Sequence, residues 1–202
     1  MYLIGIDGKM LYYKLTKEGM NLKGFYPTKC IGCTQFCKWN RRISIFESND
    51  RQITGAEREN LQIEEEKYYV QKLFALLSPD KFTLIDRGSK TILFSVKVQE
   101  LLAQYDARYS PVADDDARLY DNDMYIGPRL MCFVAENDML FLGLSNGIIL
   151  KLSSLSLAVE SSMKCHDSEI SCLAWDQLSN TLAAGSINTK VCIYQYEQKF
   201  LL

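Results

Sequence analysis

Histidine is almost missing from this chain: His166 is the only one in 202 residues. Any scheme that needs a histidine base or a histidine-rich metal site must therefore centre on that one side chain. Positive charge is also short, with 23 Lys+Arg against 25 Asp+Glu and a net charge of −2. No global positive field is available to hold a polyanion, which argues against nucleic acid as a partner. No apolar run approaches the ~18–20 residues of a membrane-spanning helix. The first fifteen residues carry Asp7, Lys9 and Lys14 and do not form a signal peptide. No GxSxG, HExxH, P-loop or Rossmann fingerprint is present. Seven cysteines cannot all pair, and without a secretory signal they read as free thiols in a reducing compartment. The expected location is cytoplasmic, with the nucleus as the other option.

What the chain does have is the composition of a globular protein, 48% hydrophobic and 24% charged. Its length suits one domain, and chains near ~150 residues already bury about 70% of their unfolded surface. It also repeats itself. The stretch Leu130 to Leu152, LMCFVAENDMLFLGLSNGIILKL, parallels Ser171 to Tyr196, SCLAWDQLSNTLAAGSINTKVCIYQY. Each has an apolar strand, a polar turn, a second strand reaching a glycine, another turn and a third strand. Gly143 and Gly185 lie 42 apart and Cys132 and Cys172 lie 40 apart. A period of ~40–45 residues is that of a four-stranded propeller blade.

Tyr69 to Val96 fits the same template, with turns at Ser78-Pro79-Asp80-Lys81 and Arg87-Gly88-Ser89-Lys90. The opening, YLIGIDGKMLYYKL, has the last part of the pattern, with Asp7-Gly8 as its hairpin turn. Cys30 to Phe46 reads as a degenerate unit in which Asn40-Arg41-Arg42 turns into Ile43-Ser44-Ile45-Phe46. The units run about 1–27, 28–67, 68–96, 129–163 and 164–202, with an insertion at 97–128. Within that insertion Val98, Leu101, Leu102 and Tyr105 stand at i, i+3, i+4 and i+7, one face of a helix. The acidic middle, with Asp114-Asp115-Asp116, has few strand formers. Ala56 to Lys67, with Glu64-Glu65-Glu66, reads as a short helix or a solvated loop. Neither acidic run has the spacing or glycine of a calcium loop. The aromatics, among them Tyr12, Tyr13, Phe46, Phe82, Phe94 and Phe141, read as core and interface residues, since no basic stripe is interleaved with them.

The unit Cys165 to Tyr196, CHDSEISCLAWDQLSNTLAAGSINTKVCIYQY, resembles a WD40 repeat. Cys165-His166 stands where the family has Gly-His, Ala184-Gly185-Ser186 matches the end of the second strand, and Tyr194-Gln195 occupies the Trp-Asp place. Trp175-Asp176 ends the first strand and is not the eponymous pair. The resemblance covers Leu130 to Tyr196 most fully and fades towards the N-terminus. It implies an all-β fold, a WD40-like β-propeller, partial or few-bladed with about four to five units and an inserted helical and acidic loop. It also implies a hydrogen-bonded network within the blade. His166 would bond Ser186, Asn188 would orient the imidazole, and Tyr194 would close the set. Asn in place of Asp and Tyr in place of Trp alter the donors and charges on offer.

The implied function is a non-catalytic protein–protein interaction scaffold or adaptor in a multiprotein complex, with no catalytic residue and no cofactor expected. One alternative is a propeller fragment that targets or regulates a larger enzyme or trafficking protein. A second is a small zinc module at Cys30, Cys33 and Cys37, whose C-x2-C-x3-C spacing supplies three thiols where a closed site wants four ligands. At most about five blades fit in the chain, and the opening blade reads as lacking a strand. The expectation is a ring completed by a larger polypeptide, a partner or a second copy, because an open sheet edge invites pairing.

Overall fold

A computed structural model describes residues 2–5, 7–44, 68–105, 120–121, 124–125 and 127–196. The first sheet comprises β1 (Tyr2–Ile4), β2 (Lys9–Thr16) and β3 (Gly19–Pro27), joined as an antiparallel meander. The second runs β4 (Gln35–Ser44), β5 (Tyr68–Ser78), β6 (Lys81–Asp86) and β7 (Ile92–Lys97). A helix, α1 (Val98–Tyr105), and a short ribbon of β8 (Tyr120–Asp121) and β9 (Met124–Tyr125) follow. The third sheet is β10 (Leu130–Glu136), β11 (Met139–Leu144), β12 (Ile148–Ser153) and β13 (Val159–Lys164). The fourth is β14 (Ile170–Asp176), β15 (Thr181–Ser186) and β16 (Val191–Gln195).

The repeat seen in the sequence is a repeat of register. Cys132 pairs with Gly143 and Cys172 with Gly185, and both ladders carry an irregularity just before the cysteine. The offset grows from 40 on the first strand to 42 on the second because the turns differ. Asn137-Asp138 joins β10 to β11, whereas Gln177 to Asn180 joins β14 to β15, two residues longer. Asn137 and Asn180 each take a left-handed backbone, φ 52° and 50°, a conformation that asparagine tolerates in turns.

Three apolar clusters fill the gaps between successive sheets. Met10 and Tyr26 of the first sheet meet Phe74, Leu76 and Ile85 of the second. Trp39, Leu73, Phe82 and Leu84 of the second meet Phe133, Leu140, Leu142 and Leu150 of the third. Phe141 and Ile149 of the third meet Ile170, Leu182 and Ala184 of the fourth. Each sheet is therefore held by its neighbours in chain order. Burial of two-sided sheets explains why β11, MLFLGL, is apolar throughout instead of alternating.

The amphipathic stretch of the insertion is a helix as its spacing predicts. Val98, Leu101 and Leu102 are buried in the cluster between the second and third sheets, with Tyr105 packed against it. The Glu100 carboxylate accepts the Lys97 N–H at 3.3 Å, and the Asp80 carbonyl accepts the Val98 N–H at 2.8 Å, so the entry to the helix is tied down and its first donor is used. At the far end, Gln104 Oε1 accepts the Val159 N–H at 3.0 Å, tying the helix to the third sheet. The acidic runs Glu64-Glu65-Glu66 and Asp114-Asp115-Asp116 lie outside the described residues, as does Phe46.

Two expectations need correction. Asn40-Arg41-Arg42 is not a turn: it lies inside β4, with Asn40 opposite Lys72, Arg41 opposite Gln71 and Arg42 opposite Val70. The unit at 28–67 is not a sheet of its own in its described part, since β4 joins 68–97 in one four-stranded sheet. Tertiary packing overrides local turn preference here. Trp39 is buried and donates its indole N–H to the Asn137 carbonyl at 2.9 Å. The Arg41 guanidinium reaches the Ser154 carbonyl and the Gln71 amide oxygen. The strand is held straight by what it touches in the third sheet.

Candidate functional site

The first candidate is the joint around His166, between the third and fourth sheets. The Gly147 carbonyl accepts the N–H groups of Cys165 and His166, at 3.0 and 3.2 Å, and so fixes where the chain leaves β13. Gly147 has φ +79°, and a Cβ there would fall on the His166 carbonyl group, 2.6 Å from its carbon. Only glycine fits. The imidazole is buried, and its Nε2 lies 3.1 Å from the Ala184 carbonyl oxygen. A carbonyl can only accept, so Nε2 carries the proton. Nδ1 then faces the Cys192 sulfur at 3.9 Å.

The structure places Ser186 and Tyr194 beside the linker that carries His166 and Asn188 in the turn after β15, with other bonds than the resemblance implies. Ser186 does not serve the imidazole. Its hydroxyl donates to the Glu169 carbonyl at 2.9 Å and sits 2.6 Å from the Ser168 hydroxyl. Asn188 does not orient His166 either: its side-chain oxygen accepts the Lys190 N–H at 3.3 Å, closing its own turn. Tyr194 packs in the seam between the third and fourth sheets. Hydrogen bonding to the Cys165 sulfur, and then burial, push its phenol above the usual tyrosine range. The physical reason is reach. The linker at 165–169 lies against the strand end, so a backbone carbonyl, not a hydroxyl, meets the ring. Through Gly147, His166 and Ala184 the joint can clamp two sheets together.

The cysteine cluster is split by the fold. Cys30 is buried with Met10 and Phe74 between the first and second sheets, with Cys33 against the same cluster. Cys37, on β4, packs into the next cluster along. Hydrogen bonding from Cys33 pulls the Cys30 thiol down to about 7, while the same contact pushes Cys33 up and burial pushes Cys37 to about 11. Among the described residues no three His, Cys, Asp or Glu side chains gather to hold a metal ion. The three-thiol zinc arrangement suggested by the spacing is therefore not the one that forms: Cys37 faces another sheet interface.

A second candidate has no motif in the sequence. The turns β10–β11 and β14–β15 flank a cleft of about 250 Å³, lined by Glu136, Asp138, Met139, Trp175, Gln177 and Asn180, with Asn137. Its walls are fixed across sheets, since the Asn137 carbonyl accepts from Trp39 and its amide donates to the Gln177 side chain. The only sequence signal was that these turns occupy equivalent places in the repeat.

Among the described residues, four successive antiparallel sheets of three or four strands, with a helix between the second and the third, give this chain the fold of a partial WD40-like β-propeller. No protein-family model and no curated protein matches the sequence. Solved structures do match its shape. The computationally designed Ika4 protein superposes over 97% of this chain and 84% of its own, with TM-score 0.53 and 11% identity. The designed Ika8 protein covers 96% at TM-score 0.54 and 10% identity, and Sqt1 from Chaetomium thermophilum covers 96% at TM-score 0.54 and 15% identity. The chain spans 42% of the length of Ika8 and 39% of Sqt1. At these identities the likeness is one of fold. No helix among the described residues is long and apolar enough to cross a membrane.

Proposed function

We propose that this chain is a non-catalytic protein–protein interaction scaffold or adaptor of the WD40 type, working in a multiprotein complex in the cytoplasm, with the nucleus as the second location. The supporting observation is the cleft between the β10–β11 and β14–β15 turns. It presents the exposed carboxylates of Glu136 and Asp138 beside the half-buried Trp175 ring. Carboxylates next to an indole suit a lysine or arginine from a partner, by ion pairing and by stacking of the cation on the ring. The turns are anchored across two sheet interfaces, so little ordering is needed on binding.

The test is photo-crosslinking from Gln177 in cells, comparing wild type with a Glu136→Lys/Asp138→Lys variant. A discrete protein adduct that disappears in the variant, at unchanged thermal midpoint, is the expected result. No adduct, or one indifferent to the charge reversal, overturns the reading. The second reading, a propeller segment that targets or regulates a larger protein, draws on the chain's spanning only 42% and 39% of Ika8 and Sqt1. The mass of the endogenous protein separates the two.

A further inference from the structure

The two ends of the sheet series are unlike each other, and among the described residues both are uncovered. On the outward face of the fourth sheet, Cys172 stands opposite Gly185 and Val191, and Ala174 stands opposite Ala183 and Ile193. Val191 and Ile193 are 68% and 71% exposed. The equivalent face of the third sheet is covered at its centre. There Cys132, Phe141 and Ile149 are buried beneath Ile170 and Leu182 of the next sheet. A Cβ on Gly143 would meet Ile170 at 2.8 Å, whereas a Cβ on Gly185 would meet only Cys172 and Ser171 of its own sheet. The fourth sheet thus carries a face built like one that receives a sheet, with none of the described residues seated on it.

The first sheet shows the opposite kind of face. It packs onto the second through Tyr2, Met10 and Tyr26. Its other side exposes Leu3, Leu15, Met20, Leu22 and Phe25, with Phe25 at 59%. Since the chain advances from sheet to sheet in one direction, this side points back and the Cys172 side points onward. Charge agrees. Residues 2–27 carry four lysines against two carboxylates, a net of +2, and residues 165–196 carry one lysine against three carboxylates, a net of −2.

We infer that the occupant of both faces is a second copy of this chain, the fourth sheet of one copy seated on the first sheet of the other. The same contact made twice closes a ring. Two copies of four sheets make about eight, within the ~4–8 blades of closed propellers. A head-to-tail contact that closes gives a finite assembly, and one that does not gives a filament. Apolar faces supply the adhesion, and the opposite charges fix which face meets which. The inference rests on the end faces and is independent of the cleft between the turns.

Sedimentation equilibrium of the full chain at micromolar concentration tests it, with the surface variants Ile193→Asp and Phe25→Asp, both at exposed positions. Wild type is expected at twice the 23.2 kDa of one chain, and each variant as a monomer with unchanged circular dichroism. An equimolar mixture of the two variants is expected to recover dimers, because one of the two contacts then has both faces intact. A monomeric wild type, continued growth beyond the dimer, a variant that stays dimeric alone, or a mixture that fails to recover would each overturn the closed head-to-tail ring. Binding by the cleft would survive all of these outcomes.

Discussion

The His166 imidazole nitrogen lies 3.1 Å from the backbone carbonyl of Ala184, so the single histidine joins the linker at 165–169 to the second half of β15. Replacing it by alanine leaves that buried joint without its donor and opens a gap beside Cys192. His166→Ala is expected to lower stability by about 1–3 kcal/mol, read as a shift of the urea midpoint. An unchanged midpoint would remove the bond from the account of the joint. Ser186→Ala should act separately, through the Glu169 carbonyl that Ser186 serves.

Gly147 is the other half of the same joint. Alanine there would collide with the His166 carbonyl group and would have to hold a left-handed backbone. Gly147→Ala is expected to cost about 4 kcal/mol or more. Gly24 provides the control. A Cβ at Gly24 meets nothing closer than the end of Lys90 at 4.0 Å, and Gly24→Ala should leave the unfolding free energy within about 0.5 kcal/mol of wild type.

The parts of the fold legible in the sequence are those where period and turn chemistry agree. Leu140 to Leu144, Ile148 to Leu152, Thr181 to Ala184 and Val191 to Tyr194 all fall within strands, and the helix follows its apolar spacing. The strand β4 was hidden because Asn40-Arg41-Arg42 looks like a turn in isolation. Its extended form depends on Trp39 and Arg41 reaching the third sheet. The site was less legible than the fold. The repeat template places His166, Ser186, Asn188 and Tyr194 near one joint, but a hydrogen bond to a backbone carbonyl has no sequence signature. The cleft beside Trp175 was hidden for a related reason, since its walls come from turns 40 residues apart.

Acid should loosen the tight turns before it affects the seams. The Ser89 backbone and hydroxyl and the Gly88 N–H bond the Asp86 carboxylate and hold its pKa below the ordinary 3.8. Ser179 and the Leu178 N–H do the same for Asp176. A carboxyl with a depressed folded pKa stabilises fully above its unfolded value, and that contribution is lost as pH falls through the folded one. Urea midpoints should therefore hold from neutral pH down to about 5 and then drop as pH falls through the ordinary aspartate range and below it, a window set by these carboxylates. In Asp86→Asn/Asp176→Asn the drop should be smaller. Both groups are exposed, so the effect should be modest, and an identical drop in the variant would exclude these turns as its source.

Gly143 and Gly185 occupy the same place in successive repeats, each opposite a cysteine, yet they should respond differently to alanine. At Gly143 the added methyl would meet Cys132 Sγ at 2.8 Å and Ile170 Cβ at 2.9 Å. The thiol can swing away, but the β-carbon of Ile170 moves only with its backbone, and that backbone is fixed in β14. Overpacking of this kind costs about 1–3 kcal/mol, so Gly143→Ala should lower the unfolding midpoint of the chain. At Gly185 the methyl would meet Cys172 Sγ at 2.7 Å and nothing from another sheet. The thiol is exposed and free to turn, so Gly185→Ala should leave the midpoint of the monomeric Phe25→Asp background nearly unchanged. If a second copy covers this face, the same methyl should instead raise the dissociation constant of the wild-type assembly. A loss of monomer stability at Gly185 equal to that at Gly143 would show that the Ile170 contact does not set the difference between the two glycines.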